Sequence, residues 1–236
     1  MNLSNRLSTI ISMADPCGTV ADVGTDHGFV PIALVKQGRA QRAIAMDVRK
    51  GPLNRARDHI REQEMTDRIE TRLSDGLNAL CPGEADTVII AGMGGELMIR
   101  ILEQGRHVWN SVKQWILSPQ SDIDRMRHYL EDNGFRIQQE SMLQEDGKYY
   151  VVMKAGRGSG TMRYEKYIYY KYGRELIRDR NPVLAEYLAR EKGSMAKLHE
   201  QLSQVDSPKT RERAKDLERE LNYIKEAEEE MQKQEV

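Results

Sequence analysis

At four points of this 236-residue chain, acidic side chains and glycines recur in a pattern suited to holding a small cationic ligand. Asp22-Val23-Gly24-Thr25-Asp26-His27-Gly28 follows the apolar run 19–23, and Asp47 closes the run 43–47, 23 residues beyond Gly24. Ser74-Asp75-Gly76 follows the run 69–73, and Ala91-Gly92-Met93-Gly94-Gly95 closes the run that begins at Thr87. A glycine turn after a first strand lets the backbone bend sharply and approach a nucleotide-like ligand, and an acid some 20 residues on accepts hydrogen bonds from ribose hydroxyls. Either feature alone is common. The choice between ligands turns on Asp26. A dinucleotide turn keeps negative charge away, because pyrophosphate rests on the following helix N-terminus. Here GxDxG stands in place of GxGxxG, with Asp22 just before it. Two acids would repel pyrophosphate but attract the sulfonium and ammonium groups of S-adenosylmethionine. The residue types therefore favour that cofactor, with Asp47 for its ribose and Asp75 for its adenine amino group. Asp75-Gly76 by itself reads only as a turn.

The run Ala91–Gly95 lacks the polar residue and prolines that hold a target nitrogen in many amino-methylating enzymes. Its three glycines are expected to expose backbone and leave room for a flat group; a flexible loop or a helix N-terminus is the competing reading.

These residues need a frame that brings strand ends together. Leu3, Leu7, Ile10, Ile11 and Ala14 share one face of a short helix ending at Asp15-Pro16. Short apolar runs then alternate with helical patterns: 19–23, a helix from Pro31 to Gln37; 43–47, a helix from Pro52 to Gln63; 69–73; 87–92, a helix from Glu96 to Gln104; 114–119, a helix from Asp122 to Asn133. VADV, AIAM and VIIA show little polar alternation, as strands covered on both faces should. Asp146-Gly147 between FRIQQESMLQE and KYYVVMKAG predicts a hairpin. The reading is a doubly wound α/β domain over residues 1–156, closed by an antiparallel pair, with its ligand beyond the C-terminal strand ends.

GRGSGT at 156–161 reads as a loop, and the composition then shifts. Arg163, Lys166, Lys171 and Arg174 are interleaved with Tyr164, Tyr167, Tyr169, Tyr170 and Tyr172, a combination suited to RNA phosphates and bases. Solvated cations over inward-packed tyrosines are the plainer reading of each residue singly. Leu184, Leu188, Glu191, Met195, Leu198, Leu202 and Val205, and then Ala214, Leu217, Leu221, Ile224, Glu228 and Met231, keep a heptad-like spacing on either side of Asp206-Ser207-Pro208. This predicts an antiparallel helical hairpin over 157–236, of coiled-coil type.

Lys and Arg total 36 and Asp and Glu 37, a formal charge of −1, which argues against a uniformly basic nucleic-acid binder but not against a local patch. Cys17 and Cys81 are too few for a disulfide framework and lack metal-site spacing. No apolar run reaches the ~18 residues of a membrane span. The expectation is a cytoplasmic protein, metal-free and without membrane contact.

VADVGTDHG followed by Pro31, AIAMDV followed by Gly51-Pro52-Leu53, SDGL, IAGMGGELM and the opening LSNRL together resemble the bacterial tRNA adenine-22 N1-methyltransferases (TrmK). The resemblance spans the whole chain and implies a seven-stranded class I methyltransferase domain, Rossmann-like, that methylates N1 of an adenosine in tRNA. The motif match puts Asp22, Gly24, Asp47, Asp75, Gly76 and Gly92 around S-adenosylmethionine, with Gly28, Val48 and Met93 beside them. It makes Asp26 the expected catalytic acid or base, against the alternative that it caps the next helix. His27, Gly94 and Gly95 are expected on the substrate side, and Arg163, Lys166, Lys171 and Arg174 on the tRNA backbone. A monomer or weak oligomer is expected. A methyltransferase for another RNA base or a small molecule, and a non-catalytic RNA-binding module, are the other readings.

Overall fold

The computed structural model describes residues 3–158, 163–204 and 207–233, in two compact units, 1–163 and 164–236. Part of the expected loop, residues 159–161, and Val205 and Asp206 of the expected seam and turn lie outside the described residues.

In the first unit, α1 (Asn5–Met13) precedes β1 (Cys17–Val23), α2 (Phe29–Lys36), β2 (Ala40–Asp47), α3 (Lys50–Glu62) and β3 (Ile69–Leu73). Then come β4 (Thr87–Met93), α4 (Gly95–Gln104), β5 (Gln114–Pro119), α5 (Ile123–Asp132), β6 (Phe135–Glu145) and β7 (Lys148–Arg157). They form one seven-stranded sheet in the order β3-β2-β1-β4-β5-β7-β6. Strands β1 to β5 are parallel; β7 pairs antiparallel with both β5 and β6. The order reverses between β1 and β4, which is where open α/β sheets leave a crevice at their carboxyl ends. β1 and β2 begin earlier than the expected 19 and 43, because Cys17 already pairs with Ala40. Gln41 and Arg42 at that end are exposed, so apolar content alone did not mark them as strand.

The core divides by side-chain alternation along the strands. Ile116 of β5 joins a cluster with Ile10 and Ile11 of α1, Ile32 and Leu34 of α2, and Ala56 and Ile60 of α3. Its neighbour Trp115 meets Phe135 edge-on at 5.8 Å, and Phe135 meets Trp109 at 5.0 Å. Among the described residues, no helix is long and apolar enough to cross a membrane.

In the second unit, a π-helical turn, Tyr169–Gly173, runs into the short α6 (Arg174–Arg178), elements that no hydrophobic period marks in advance. α7 (Pro182–Ser203) is capped by Asn181, and α8 (Pro208–Gln232) by a Ser207–Thr210 capping box with proline at the first position. The two run antiparallel, since Lys192 pairs with Glu228 and the later His199 with the earlier Glu218. Leu184, Leu188, Leu217 and Ile224 are buried, while Leu198 is 37% exposed. Ala227, not the expected Glu228, fills the buried position on α8, and Glu228 answers Lys192 instead. The helices therefore pack tightly toward the α6 end and loosely toward the tip.

Candidate active site

β1 delivers its last residues into a turn that only glycine can make. Gly24 has φ +78°, and its N–H and that of Thr25 both donate to the Met46 carbonyl at 2.8 Å, tying the turn to β2. A Cβ on Gly24 would overlap the Met93 methyl group, so the end of β4 closes directly over the turn. Gly28, at φ +67°, starts α2, and a Cβ there would stand 3.3 Å from Ala56 of α3.

Asp22 is buried and has no cationic partner among the described residues. Burial, reinforced by the negative charge of Asp47, pushes its carboxyl up to about 6. Asp47, also buried, accepts the backbone N–H of Arg49 at 2.7 Å. The turn that carries Asp75 is joined to it, because Ser74 donates its N–H to the Asp47 carbonyl at 2.9 Å. Ser74 Oγ then bonds the Gly76 carbonyl at 2.8 Å and accepts from Ala79 N–H at 3.1 Å, leaving Asp75 exposed at the tip. Val48 and Leu73, at the ends of β2 and β3, are 58% and 52% exposed. Exposed aliphatic side chains beside carboxylates suit a ligand with a flat apolar ring and polar edges.

Asp26 does not cap α2. The cap position belongs to Gly28, without a side-chain hydrogen bond, and Asp26 turns instead to Arg55 of α3, whose guanidinium donates to Oδ1 at 2.6 Å. Desolvation works against the Asp26 charge, but the Arg55 hydrogen bond and the charges of His27, Arg55 and Arg49 outweigh it and hold the carboxyl below its ordinary range. His27, at φ +63°, stacks on Phe29 at 5.2 Å and on His59 at 5.3 Å, and His59 Nδ1 lies 2.9 Å from the His27 carbonyl oxygen. Arg55, Phe29 and His59 were not anticipated. Their approach depends on how α3 crosses the turn, and no local spacing records that.

The glycine run of β4 serves two purposes. Gly92, exposed at φ +77°, sits in a bulge between Ala91 and Met93. Gly94 caps α4, and Gly95 is buried, with a Cβ there placed 2.6 Å from the Ser121 carbonyl and 2.9 Å from that of Asp122. The expected room at Gly95 is thus filled by the 121–122 backbone, to whose Ser121 carbonyl Gly95 N–H donates at 3.0 Å.

Of the four cations expected to meet a polyanion, Lys166 and Lys171 are engaged, each pairing with a carboxylate of α8, Glu230 and Glu220, at 2.6 Å. Arg174 lies over the Tyr164 ring at 5.9 Å, and Arg163, 83% exposed, is 4.0 Å from Asp132. Tyr170 and Tyr172 are buried, and Tyr164 N–H donates to the Tyr170 hydroxyl at 3.1 Å. Residue by residue the segment is largely self-satisfied, because α8 supplies acids at the matching positions. Among the described residues, no group of three or more His, Cys, Asp or Glu is placed to hold a metal ion.

Residues 3–153 match the methyltransferase domain family. Over 230 residues, 96% of this chain and 97% of its counterpart, the sequence is 30% identical to the tRNA (adenine(22)-N(1))-methyltransferase of Bacillus subtilis (strain 168). The crystal structure of the B. subtilis m1A22 tRNA methyltransferase TrmK superposes with a TM-score of 0.82 at 30% identity, covering 96% of this chain and 98% of that one. Sp1610 of Streptococcus pneumoniae, solved in complex with S-adenosyl-L-methionine, superposes with a TM-score of 0.83 at 30% identity, covering 96% and 99%.

Proposed function

The chain belongs to the tRNA (adenine(22)-N(1))-methyltransferase family, and from that premise we propose that it transfers a methyl group from S-adenosylmethionine to N1 of adenine 22 in tRNA, in the cytoplasm.

The observation that carries the cofactor assignment is Asp22, a buried acid beside a second buried acid, Asp47, with no cation among the described residues to answer it. An uncompensated buried carboxylate is costly, and a cationic ligand offsets that cost. When bound, S-adenosylmethionine supplies an electrophilic methyl group on a sulfonium. In this reading Asp47 takes ribose hydroxyls, Asp75 the adenine amino group, and Val48 and Leu73 the faces of the adenine ring; the burial of Asp47, the exposure of Asp75 on the turn bonded to it and the exposed Val48 and Leu73 beside them support it. Gly24, Gly28, Gly76, Gly92 and Met93 shape the backbone around it.

Adenine N1 carries a lone pair, so the chain's task is alignment more than activation of the nucleophile. Methylation leaves the ring positively charged. Asp26, ionised through the physiological range, stabilises that charge electrostatically, and its depressed proton affinity makes it a poor proton acceptor. Exposing the base inside folded RNA costs a few kcal/mol, which phosphate contacts offset. Arg163 and Arg174 are the cations with charge to give to such contacts, since Lys166 and Lys171 already hold α8.

The test is incubation of the purified protein with unmodified tRNA and S-adenosylmethionine, followed by mass-spectrometric mapping of the product. N1-methyladenosine at position 22 is expected. A methyl group on another base, or on small metabolites alone, overturns the assignment, and an unmethylated tRNA that still binds points to a non-catalytic module.

A further inference from the structure

α1 is fastened at both ends to the sheet unit. At its start, Ser4 Oγ caps Leu7 N–H, and Glu145 Oε1, at the end of β6, accepts the backbone N–H groups of Asn5 at 2.5 Å and Arg6 at 3.4 Å. At its end, Arg39 donates to the carbonyls of Ser12 at 3.0 Å and Ala14 at 2.6 Å. Ile10, Ile11 and Met13 are buried between these clamps. The helix can neither rotate nor slide without losing them, so the backbone position from which Arg6 extends is set.

That side chain reaches the edge of the candidate site. Its guanidinium carbon lies 5.4 Å from the centre of the Tyr150 ring of β7, and Nη1 is 3.4 Å from where a Cβ on Gly92 would stand. Gly92 is the exposed bulge residue at the end of β4, one position before the methionine that covers Gly24. Arg6 itself is half-buried and has no carboxylate partner among the described residues; Glu145 is directed at the backbone amides instead. The other cations of known position here already face carboxylates, Arg55 on Asp26 at 2.6 Å and Arg49 beside Asp47 at 3.8 Å. A half-withdrawn guanidinium, steadied by an aromatic face and lacking a counterion, is prepared for an oxyanion.

We propose that Arg6 is the oxyanion-holding residue of this site, that Tyr150 fixes the plane of its guanidinium, and that Gly92 is bare so that the oxyanion can reach it. The inference rests on the cofactor and substrate reading above, which brings two oxyanions to this place: the carboxylate of the cofactor's methionine part and a phosphate beside the target base.

The test compares the full-length parent with Arg6→Ala and Arg6→Gln by calorimetric titration of S-adenosylhomocysteine and of 5′-methylthioadenosine, which lacks the amino-acid end. It adds tRNA binding across a salt series. If the carboxylate is the ligand, S-adenosylhomocysteine weakens about tenfold while methylthioadenosine is unchanged. If the phosphate is the ligand, both nucleosides bind as before, tRNA weakens about tenfold, and the salt slope falls by about one contact. Equal weakening of both nucleosides would show a helix-packing role and overturn the proposal, as would unchanged binding of all three ligands. Arg6→Gln, which keeps the length and packing of the side chain, gives the same comparison if Arg6→Ala does not fold. A parent protein that binds neither nucleoside overturns the cofactor reading, and this inference with it.

Discussion

Arg55 of α3 donates to Asp26 Oδ1 at 2.6 Å and reaches across from one strand-helix unit to the turn of another. The expected catalytic carboxyl is therefore held ionised by a neighbour 29 residues away. Asp26→Asn is expected to lower kcat about 100-fold or more while cofactor affinity is kept, within the range for loss of a charge placed at a transition state. In Arg55→Ala the Asp26 carboxyl returns toward its ordinary range, so the acid limb of kcat at saturating cofactor shifts to higher pH. Single-turnover methylation between about pH 3 and 7, a window that reaches the ordinary carboxyl value of 3.8, measures both, and coincident acid limbs for parent and Arg55→Ala would remove Asp26 from the chemistry.

The raised proton affinity of Asp22 makes this site a liability to the ligand-free fold. Its carboxyl takes up a proton near 6 in the folded chain, against an ordinary value of 3.8, so the fold binds more protons than the unfolded chain between those values. Stability accordingly falls as pH rises through that window. Asp22→Asn should raise Tm by several degrees at pH 7.5 and by less at pH 4.5, the penalty removed being of order 1–3 kcal/mol. The same variant should bind S-adenosylmethionine about tenfold or more weakly. Thermal unfolding at the two pH values and a titration decide the point; a variant less stable at pH 7.5 contradicts it.

Gly95 and Gly147 separate two reasons for glycine. Gly147, in the hairpin turn, has φ +73°, and an added methyl group there would meet nothing within 4 Å, so Gly147→Ala faces backbone strain alone, about 1 kcal/mol. Gly95→Ala meets the Ser121 and Asp122 carbonyls at 2.6 and 2.9 Å, which belong to backbone and cannot turn aside. The larger loss of Tm is expected at Gly95, together with reduced turnover as the 121–122 loop is displaced from Gly94. Equal losses would mean that the loop yields without cost.

Lys166 and Glu230 lie 2.6 Å apart, and the hydrogen bonds from Lys166 and Lys233 hold Glu230 down at about 2. That contribution to stability is present above the ordinary glutamate value of 4.5 and is lost as pH falls toward 2. Lys166→Glu should destabilise the helical unit by roughly 1 kcal/mol, the scale of a partly buried surface pair, and Lys166→Glu with Glu230→Lys should restore it while leaving tRNA affinity within about twofold of the parent, since Lys166 is engaged with Glu230. Arg163→Ala and Arg174→Ala should each weaken tRNA binding several-fold. A double exchange that weakens tRNA as much as the arginine variants would return Lys166 to the RNA contacts.

The alternation of apolar runs with helical patterns determined the parallel sheet. That sheet carries Asp22, Gly24, Asp47, Asp75 and Gly92 to its carboxyl edge, because every βα unit ends its strand on the same side. Asp146-Gly147 determined the antiparallel pair for an equally local reason, as its dihedral preferences suit a tight hairpin turn. Which of these groups are buried, and which meet a partner, follows instead from the packing of distant segments. Asp22 without a cation among the described residues, Asp26 with Arg55, Gly95 against the Ser121 carbonyl, Lys166 with Glu230 and Arg6 beside Gly92 all depend on residues far apart in the chain. Periodicity reports the face on which a side chain lies. Proton affinity, close approach and charge compensation depend on the whole set of neighbours that packing brings around it, and no run of adjacent residues contains that set.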